Sequence, residues 1–210
     1  MMKLYLLLLL TFISGCSTKP KNISLYFPLN EGDIYYYHGK YKNKEYDNYL
    51  LVRSFTLSNE KKLYYFQKGI KKSYNSLFGY NMFGNGLYFI FKSQLRTLEA
   101  LSDLENYKLD YDKNQKLLPE DLSVGSKVTL DSNFYNSKDT IEILSYEDVY
   151  VPAGKFTLCL KLKIITYWNN GDVEESYVWL AKNIGLVKWI KSTGRIDELV
   201  KYQPKQNPRY

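Results

Sequence analysis

The chain has 210 residues, of which 29 are lysine or arginine and 22 are aspartate or glutamate, so its formal net charge is +7. This length predicts one domain of ordinary size or two small ones, and a hydrophobic fraction of 45% predicts a packed core. The single histidine excludes a cluster of histidine metal ligands, and two cysteines exclude a disulfide-rich scaffold.

The first fifteen residues have the pattern of a secretory signal peptide. Lys3 gives a charged start, Leu4–Ile13 is apolar except for Thr11, and two small residues follow. The alternative is a membrane-spanning helix. At about 1.5 Å per residue, however, this run covers roughly half of a ~30 Å hydrocarbon core. Residues 1–15 are therefore predicted to be a signal peptide.

The sequence ISGC at 13–16 resembles the lipobox of bacterial lipoproteins. The resemblance implies that Cys16 carries a diacylglycerol thioether and palmitate, becomes the first residue, and holds the protein on the cell membrane or the outer membrane. Two or more acyl chains anchor a protein durably, whereas one does not. Residues 16–25 are then a lipidated tether. The alternative is an ordinary signal peptide with a chance cysteine.

The basic charge of the exported chain favours some partners over others. Anionic lipid headgroups or cell-wall polymers fit it, whereas nucleic acid is not expected outside the cell. A lysine-rich solvated surface without a specific partner is the favoured interpretation of the charge.

Strand patterns dominate the first half of the mature chain, and 22 tyrosines suit half-buried strands, although coding bias can also raise their number. One segment, Leu95–Leu104, has leucines at every third position and fits a short helix, with a strand or loop as the alternative. Met82 and Phe83 lie between glycines and predict a hairpin or an apolar loop, a candidate contact to a ligand or membrane. The strand candidates are Asp33–Tyr41, Tyr46–Leu57, Lys61–Gly69 and Gly86–Lys92.

The C-terminal third alternates most clearly. From Lys155 to Trp168, apolar residues at 156, 158, 160, 162 and 164 are predicted on one face, and Cys159 is placed with the lysines on the other. Asn169–Asp172 predicts a tight turn. With Thr140–Val151 before them, the remaining strand candidates are Val173–Ala181, Leu186–Lys191 and Arg195–Tyr202.

These patterns predict a mostly β fold for residues 26–202, a single domain with an antiparallel, strongly curved sheet or half-barrel meander and at most one or two short helices. Residues 203–210 are predicted to be a flexible basic tail. FPLNEGDIYYY at 27–37 and LPEDLSVGSKVTL at 118–130 each place a proline and a glycine before a strand. The similarity has two possible origins: two turns of the same type that arose independently, or an internal duplication of the sequence.

The segments VPAGKFTLCLKLK at 151–163 and YVWLAKNIGLVKW at 177–189 resemble a group of bacterial envelope lipoproteins of unknown function. FPLNEGDIYYY resembles the first strand of the same group. The resemblance implies an antiparallel sheet and carries over no functional residue. Its motif positions are structural: Gly154 and Gly185 are expected in turns, and Phe156 and Trp189 in the core.

No residue pattern predicts catalysis. His38 lies inside a strand without a G-x-S-x-G nucleophile elbow anywhere in the chain, so a structural role is expected. Cys159 stands beside two lysines that would lower a thiol pKa if it were exposed, but it lacks the setting of a catalytic thiol. Glu174 and Glu175 are adjacent on a strand and should face opposite ways.

DYDKNQKLLPED at 110–121 partly matches a calcium-binding loop. Asp110, Asp112, Asn114 and Asp121 take ligand positions, but the sixth position is Gln115 instead of glycine. A solvated acidic turn is the favoured interpretation, so no metal and no cofactor are predicted.

The sequence therefore predicts a non-enzymatic, membrane-anchored envelope lipoprotein. Its curved sheet is expected to bind an apolar or amphipathic, lipid-like ligand. The alternative is an envelope scaffold or a module that binds an envelope protein or the cell wall.

Overall fold

The computed structural model describes residues 23–56, 62–70, 87–91, 94–98, 115–116, 118–132 and 137–205. Cys16, Met82, Phe83 and three candidate calcium ligands, Asp110, Asp112 and Asn114, lie outside these ranges.

The described chain is almost entirely β-structure, which confirms the predicted fold class. A single 3-10 turn, η1 (Ile23–Leu25), precedes the strands. The strands are β1 (Ile34–Tyr41), β2 (Lys44–Thr56), β3 (Lys62–Ile70), β4 (Leu87–Phe91), β5 (Gln94–Leu98), β6 (Gln115–Lys116), β7 (Lys127–Ser132), β8 (Ser137–Val151), β9 (Gly154–Trp168), β10 (Val173–Ala181), β11 (Gly185–Lys191) and β12 (Ile196–Gln203).

All twelve strands belong to one antiparallel sheet in the order β6-β5-β4-β3-β2-β1-β12-β11-β10-β9-β8-β7. Within β1–β6 and within β7–β12, each strand pairs with its neighbours in sequence, as a meander does, and one further pairing joins β1 to β12. The first and last strands therefore lie side by side in the middle of the sheet. The edge strands in this order are β6 and β7.

Two hairpin turns follow directly from their residues. After β9, Gly171 has φ 90° and its N–H donates to the Trp168 carbonyl at 2.9 Å. After β10, Asn183 has φ 62° and is followed by Gly185 at φ 93°. Glycine and asparagine tolerate this left-handed backbone, so the turns predicted at these two places form.

The predicted alternation of β9 is wrong at its start. Leu158 is 64% exposed and Cys159 is fully buried, the reverse of the expected arrangement. Thr157 and Leu158 together face one residue of β8, so the strand contains a β-bulge, with Leu158 at φ 50°. A bulge adds one residue and reverses the faces beyond it.

The helix considered for Leu95–Leu104 is wrong in its described part. Gln94–Leu98 is strand β5, which pairs with β4 from Leu87↔Leu98 to Phe91↔Gln94. The threefold leucine spacing is too short to define a helical face, and the adjacent strand supplies the hydrogen bonds instead.

The core lies on one face of the sheet, called the inner face here. The N-terminal segment, residues 23–29, packs onto it, and Ile23, Tyr26 and Phe27 are each at most 4% exposed. Hence the last residues of the predicted tether are already part of the packed domain. Other fully buried members are Tyr37, Val52, Ile143, Leu160, Leu162, Val178, Leu180 and Leu199.

The N-terminal segment lies at one end of the sheet. The Leu25 carbonyl accepts a hydrogen bond from Asn183 in the β10–β11 turn, and the Tyr26 ring lies 6.1 Å from the Tyr146 ring of β8. Tyr146 pairs with Leu160, level with the last residues of β10. This end of the domain, where the chain enters the sheet, is called the N-terminal end.

Residues 147–158 of the β8–β9 hairpin, called the overhang here, extend past the β10–β11 turn. The Ala153 N–H donates to the Leu199 carbonyl of β12 at 2.9 Å, although three strands separate β8 from β12 in the sheet. The sheet must curl for this hydrogen bond to form. The overhang consequently reaches across this end of the sheet to β12.

The two similar segments of the sequence form the same turn. The Gly32 N–H donates to the Val52 carbonyl, and the Val52 N–H donates to the Asp33 backbone carbonyl, both at 2.9 Å. Likewise, the Gly125 N–H donates to the Ile143 carbonyl at 2.8 Å, and the Ile143 N–H donates to the Ser126 backbone carbonyl at 3.0 Å. Each turn leads into the first strand of a six-strand meander, β1–β6 or β7–β12.

The beginning of the predicted C-terminal tail is held against the sheet. Gln203 is the last residue of β12, and the Lys205 N–H donates to the buried Asp33 carboxylate at 2.9 Å. Residues 206–210 lie outside the described ranges.

Candidate functional site

The predicted anchor Cys16 and the apolar loop of Met82 and Phe83 remain predictions, because they lie outside the described residues. Of the four candidate ligand positions of the calcium-like loop, only Asp121 is described. Its Oδ1 atom accepts hydrogen bonds from the Ser123 backbone at 3.0 Å and hydroxyl at 2.6 Å, which closes a local turn. Within the described ranges, no group of His, Cys, Asp and Glu residues could hold a metal ion.

His38 lies on the outer face of β1, half exposed. Its Nδ1 atom is 2.9 Å from Asp47 Oδ1, and its Nε2 atom is 3.8 Å from Glu45 Oε2. Histidine and aspartate are two members of a triad, but the thiol of Cys159 is on β9, four strands away, or roughly 19 Å at ~4.8 Å per strand. The structure does not bring these two candidates together.

Cys159 has the properties of a structural residue. Burial, followed by the nearby carboxylates of Asp148 and Glu147, raises the pKa of its thiol to about 11. The thiol is fully buried and donates a weak hydrogen bond to the Phe156 carbonyl at 3.6 Å. A thiol of this pKa is almost wholly protonated at neutral pH and is a poor nucleophile.

Glu174 and Glu175 face opposite sides of β10, as predicted. Glu174 pairs with Lys191 on the inner face. Glu175 pairs on the outer face with Lys163 at 2.5 Å and accepts a hydrogen bond from Tyr177. These contacts lower the pKa of Glu175, with the hydrogen bond from Lys163 the largest cause.

The inner face carries a group of charged side chains that the sequence analysis did not identify. We call Asp139, Glu174, Lys191, Arg195 and Asp197 the inner polar cluster. It lies at the end of the sheet opposite the N-terminal segment, near the β9–β10 and β11–β12 turns.

Arg195 and Asp197 form the most buried ion pair of the inner polar cluster. Arg195 Nε donates to Asp197 Oδ2 at 2.7 Å, and their side chains are 8% and 1% exposed. The Tyr46 hydroxyl donates to the other oxygen of Asp197 at 2.9 Å. The Tyr46 ring fits here because Gly39 has no side chain: a Cβ atom at Gly39 would lie 2.1 Å from that ring.

Both cations of the inner polar cluster lie close to the Trp189 ring. Lys191 Nζ lies 4.8 Å and Arg195 Cζ lies 5.1 Å from its ring, distances at which cation–π attraction is favourable. Burial is the largest effect on Asp139 and raises the pKa of its carboxyl. Its Oδ1 atom is buried and has no hydrogen-bond partner among the described residues.

The outer face of β9–β11 carries an ordered strip of lysines and aromatic rings. Trp179 is only 7% exposed because Lys161 and Lys188 lie over its ring, at 5.0 and 6.0 Å. Its indole N–H donates to Glu147 at 2.7 Å. Burial opposes ionisation of Glu147, but this and other hydrogen bonds outweigh it, so the Glu147 pKa is lowered.

These sites were missed for one physical reason. In an alternating strand, a charged residue is normally assigned to solvent, and nothing in the local sequence marks Asp197 or Arg195 as inward. Their partner Tyr46 is 151 positions from Asp197. The usable indication was Gly39 in a tyrosine-rich strand, since a glycine inside a strand often marks the close approach of another group.

No protein-family model and no curated protein matches this chain. Two solved structures are similar to it. One is a "putative exported protein with YmcC-like fold" from Bacteroides fragilis, with 14% identity, a TM-score of 0.44, and coverage of 84% of this chain and 97% of that one. The other is a "putative lipoprotein" from Parabacteroides distasonis, with 17% identity, a TM-score of 0.44, and coverage of 85% and 98%.

Within the part of the chain that the structure describes, no helix is both long and apolar enough to cross a membrane.

Proposed function

We propose that this protein is an exported lipoprotein, anchored by acylated Cys16, whose β domain is a non-catalytic interaction module of the bacterial envelope. The observation that carries the proposal is the position of the N-terminal segment. Ile23, seven positions after Cys16, is already packed into the core of the sheet. A signal peptide cut at Cys16 would release a chain that begins almost directly with the folded domain.

The filled inner face favours an interaction module over a carrier of apolar ligands. Carriage requires an open apolar surface, and tyrosine and phenylalanine side chains of the N-terminal segment occupy the inner face at the N-terminal end. The opposite end carries the inner polar cluster. Partner binding is therefore assigned to the outer surface, with an envelope protein or wall polymer as the partner.

The environment of the candidate nucleophile supports a non-catalytic role. Cys159 has a raised pKa and no access to solvent, and the carboxylates Glu174 and Glu175 point away from each other. Two carboxylates must face a common substrate to act as acid and base.

The anchor is tested by feeding cells an alkyne-tagged palmitate and comparing the wild type with Cys16→Ser. We expect the label in the wild type, and neither label nor cleavage at residue 16 in the variant. Cys159→Ser is the matched control and should be labelled like the wild type. A wild-type protein that carries no label would disprove lipid anchoring.

The interaction role is tested by crosslinking in intact cells, with a photoreactive residue placed at exposed outer positions such as Val200 or Ile196. A discrete crosslinked species that is lost on charge reversal at Lys188 supports the proposal. Ligand carriage, the alternative function, is tested by native mass spectrometry of the protein released from its membrane. A stoichiometric co-purified lipid inside the domain, without any crosslinked partner, would favour ligand carriage instead.

A further inference from the structure

The exposed side of the overhang contains a leucine that the fold itself does not explain. Leu158 is 64% exposed, so it contributes little to the core. Its backbone is left-handed, with φ 50°, a conformation that costs a leucine roughly 1–2 kcal/mol and suits glycine or asparagine better. Its N–H is bonded to Asp148 Oδ1 at 3.1 Å, an interaction any residue could make. Neither packing nor backbone geometry requires leucine here.

A second exposed apolar side chain lies on the same surface. Tyr150 is 69% exposed, and on β8 it is separated from Asp148 by one residue, so both point to the same side of the hairpin. Lys155 pairs with Tyr150 across the hairpin and forms an ion pair with Asp148 at 2.8 Å. We call Tyr150 and Leu158 the overhang patch. The local charges of the overhang are thus balanced, and its apolar side chains stay in solvent.

The tether restricts where this patch can be. Seven residues from Cys16 to Ile23 span at most about 25 Å when fully extended. The overhang begins next to the N-terminal segment: the Tyr26 ring lies 6.1 Å from the ring of Tyr146, which directly precedes the overhang and pairs with Leu160, two residues after Leu158. An acylated Cys16 therefore keeps the overhang patch within reach of the bilayer.

We propose that the overhang patch inserts into the headgroup region of the membrane that holds the lipid anchor, as a second point of attachment that orients the domain. This inference rests on the proposed anchoring at Cys16. Tyrosine and leucine suit this role because the tyrosine ring sits at the interface and leucine enters the acyl boundary. Exposed Lys182, in the adjacent turn, complements anionic headgroups.

The test uses the full lipidated protein in vesicles of phosphatidylethanolamine with a minority of phosphatidylglycerol. An environment-sensitive fluorophore is attached to Leu158→Cys, and nitroxide-bearing lipids serve as the quencher. Val173→Cys is the matched control, because Val173 is 60% exposed but lies at the opposite end of the sheet. Native Cys159 is fully buried and does not compete for the label.

We expect several-fold stronger quenching and a blue-shifted emission at position 158 than at position 173. With the label moved to Tyr150→Cys, adding Leu158→Asn should reduce quenching to the control level, since asparagine accepts the left-handed backbone but does not insert. Equal, weak quenching at 158 and 173 in protein that floats with the vesicles would overturn membrane insertion while leaving the anchor intact. Failure to float would instead disprove the anchor.

Discussion

Replacing Gly39 by alanine tests whether close packing around Asp197 holds the centre of the sheet together. A Cβ atom at this position would lie 2.1 Å from the Tyr46 ring and 2.5 Å from Asp197 Oδ1. Neither the Tyr46 ring nor the Asp197 carboxylate can move without losing contacts. Tyr46 donates its hydroxyl proton to Asp197 at 2.9 Å, and its ring lies 5.4 Å from the Arg195 guanidinium. The methyl group must therefore displace the tyrosine.

The magnitude follows from three effects. A lost hydrogen bond to a charged group costs about 1.5–3 kcal/mol, and overpacking costs about 1–3 kcal/mol. In the opposite direction, alanine lowers the conformational entropy of the unfolded chain, which stabilises the folded state by about 0.4–1 kcal/mol. We expect Gly39→Ala to lower the free energy of unfolding by about 3 kcal/mol, which at an m-value of about 2 kcal/mol per M lowers the urea midpoint by about 1.5 M.

The assay is urea unfolding followed by tryptophan fluorescence, because Trp189 lies against Arg195. A double-mutant cycle with Tyr46→Ala isolates the steric cause. If the ring is the obstacle, Gly39→Ala costs much less in the Tyr46→Ala background, with a coupling energy of at least about 1 kcal/mol. Strict additivity, or an unchanged midpoint for Gly39→Ala alone, would refute the reasoning.

Three further predictions concern buried ionisable groups. Arg195→Met should destabilise the protein by about 3–5 kcal/mol in thermal or urea unfolding, because it removes the cation beside buried Asp197, and Asp197→Leu in the same chain should restore much of the loss. Cys159 should react with iodoacetamide at pH 8 far more slowly in the native than in the urea-unfolded protein, as followed by mass spectrometry; equal rates would contradict its burial. Because burial raises the pKa of Asp139, the folded state holds the Asp139 proton more tightly than the unfolded chain does, so stability is lost as the pH rises from the ordinary aspartate pKa of 3.8 through the folded value. Asp139→Asn should therefore raise the urea midpoint at pH 7 and leave it unchanged below pH 3; no gain at pH 7 would argue against the buried carboxylate.

Local pattern was sufficient for the hairpins of the sheet. Val173–Ala181 was predicted with the bounds that β10 has, because the alternation of Tyr177 and Trp179 and the flanking turn residues are encoded within about a dozen positions. The same holds for β11 and β12 to within a residue or two. Adjacent antiparallel strands need only a turn and a period of two.

Backbone exceptions and distant partners were not predictable. The bulge at Leu158 carries no glycine or asparagine, so the sequence gives no indication that the faces of β9 reverse there. The Arg195–Asp197–Tyr46 contact needs the register between β1 and β12, which no local pattern encodes. The candidate site was therefore recovered only in part: its separate strands were expected, and its inward charges were not.

The pairing of β1 with β12 has a consequence for biogenesis. Ile34 is opposite Gln203, so the middle of the sheet can close only after residue 203 has been synthesised. Until then, each six-strand meander has an edge strand with unpaired backbone N–H and C=O groups. Such an edge promotes aggregation, and the late long-range pairing slows folding. A chain truncated before β12 would therefore be left with two open halves, since β12 provides the only pairing between them within the described sheet.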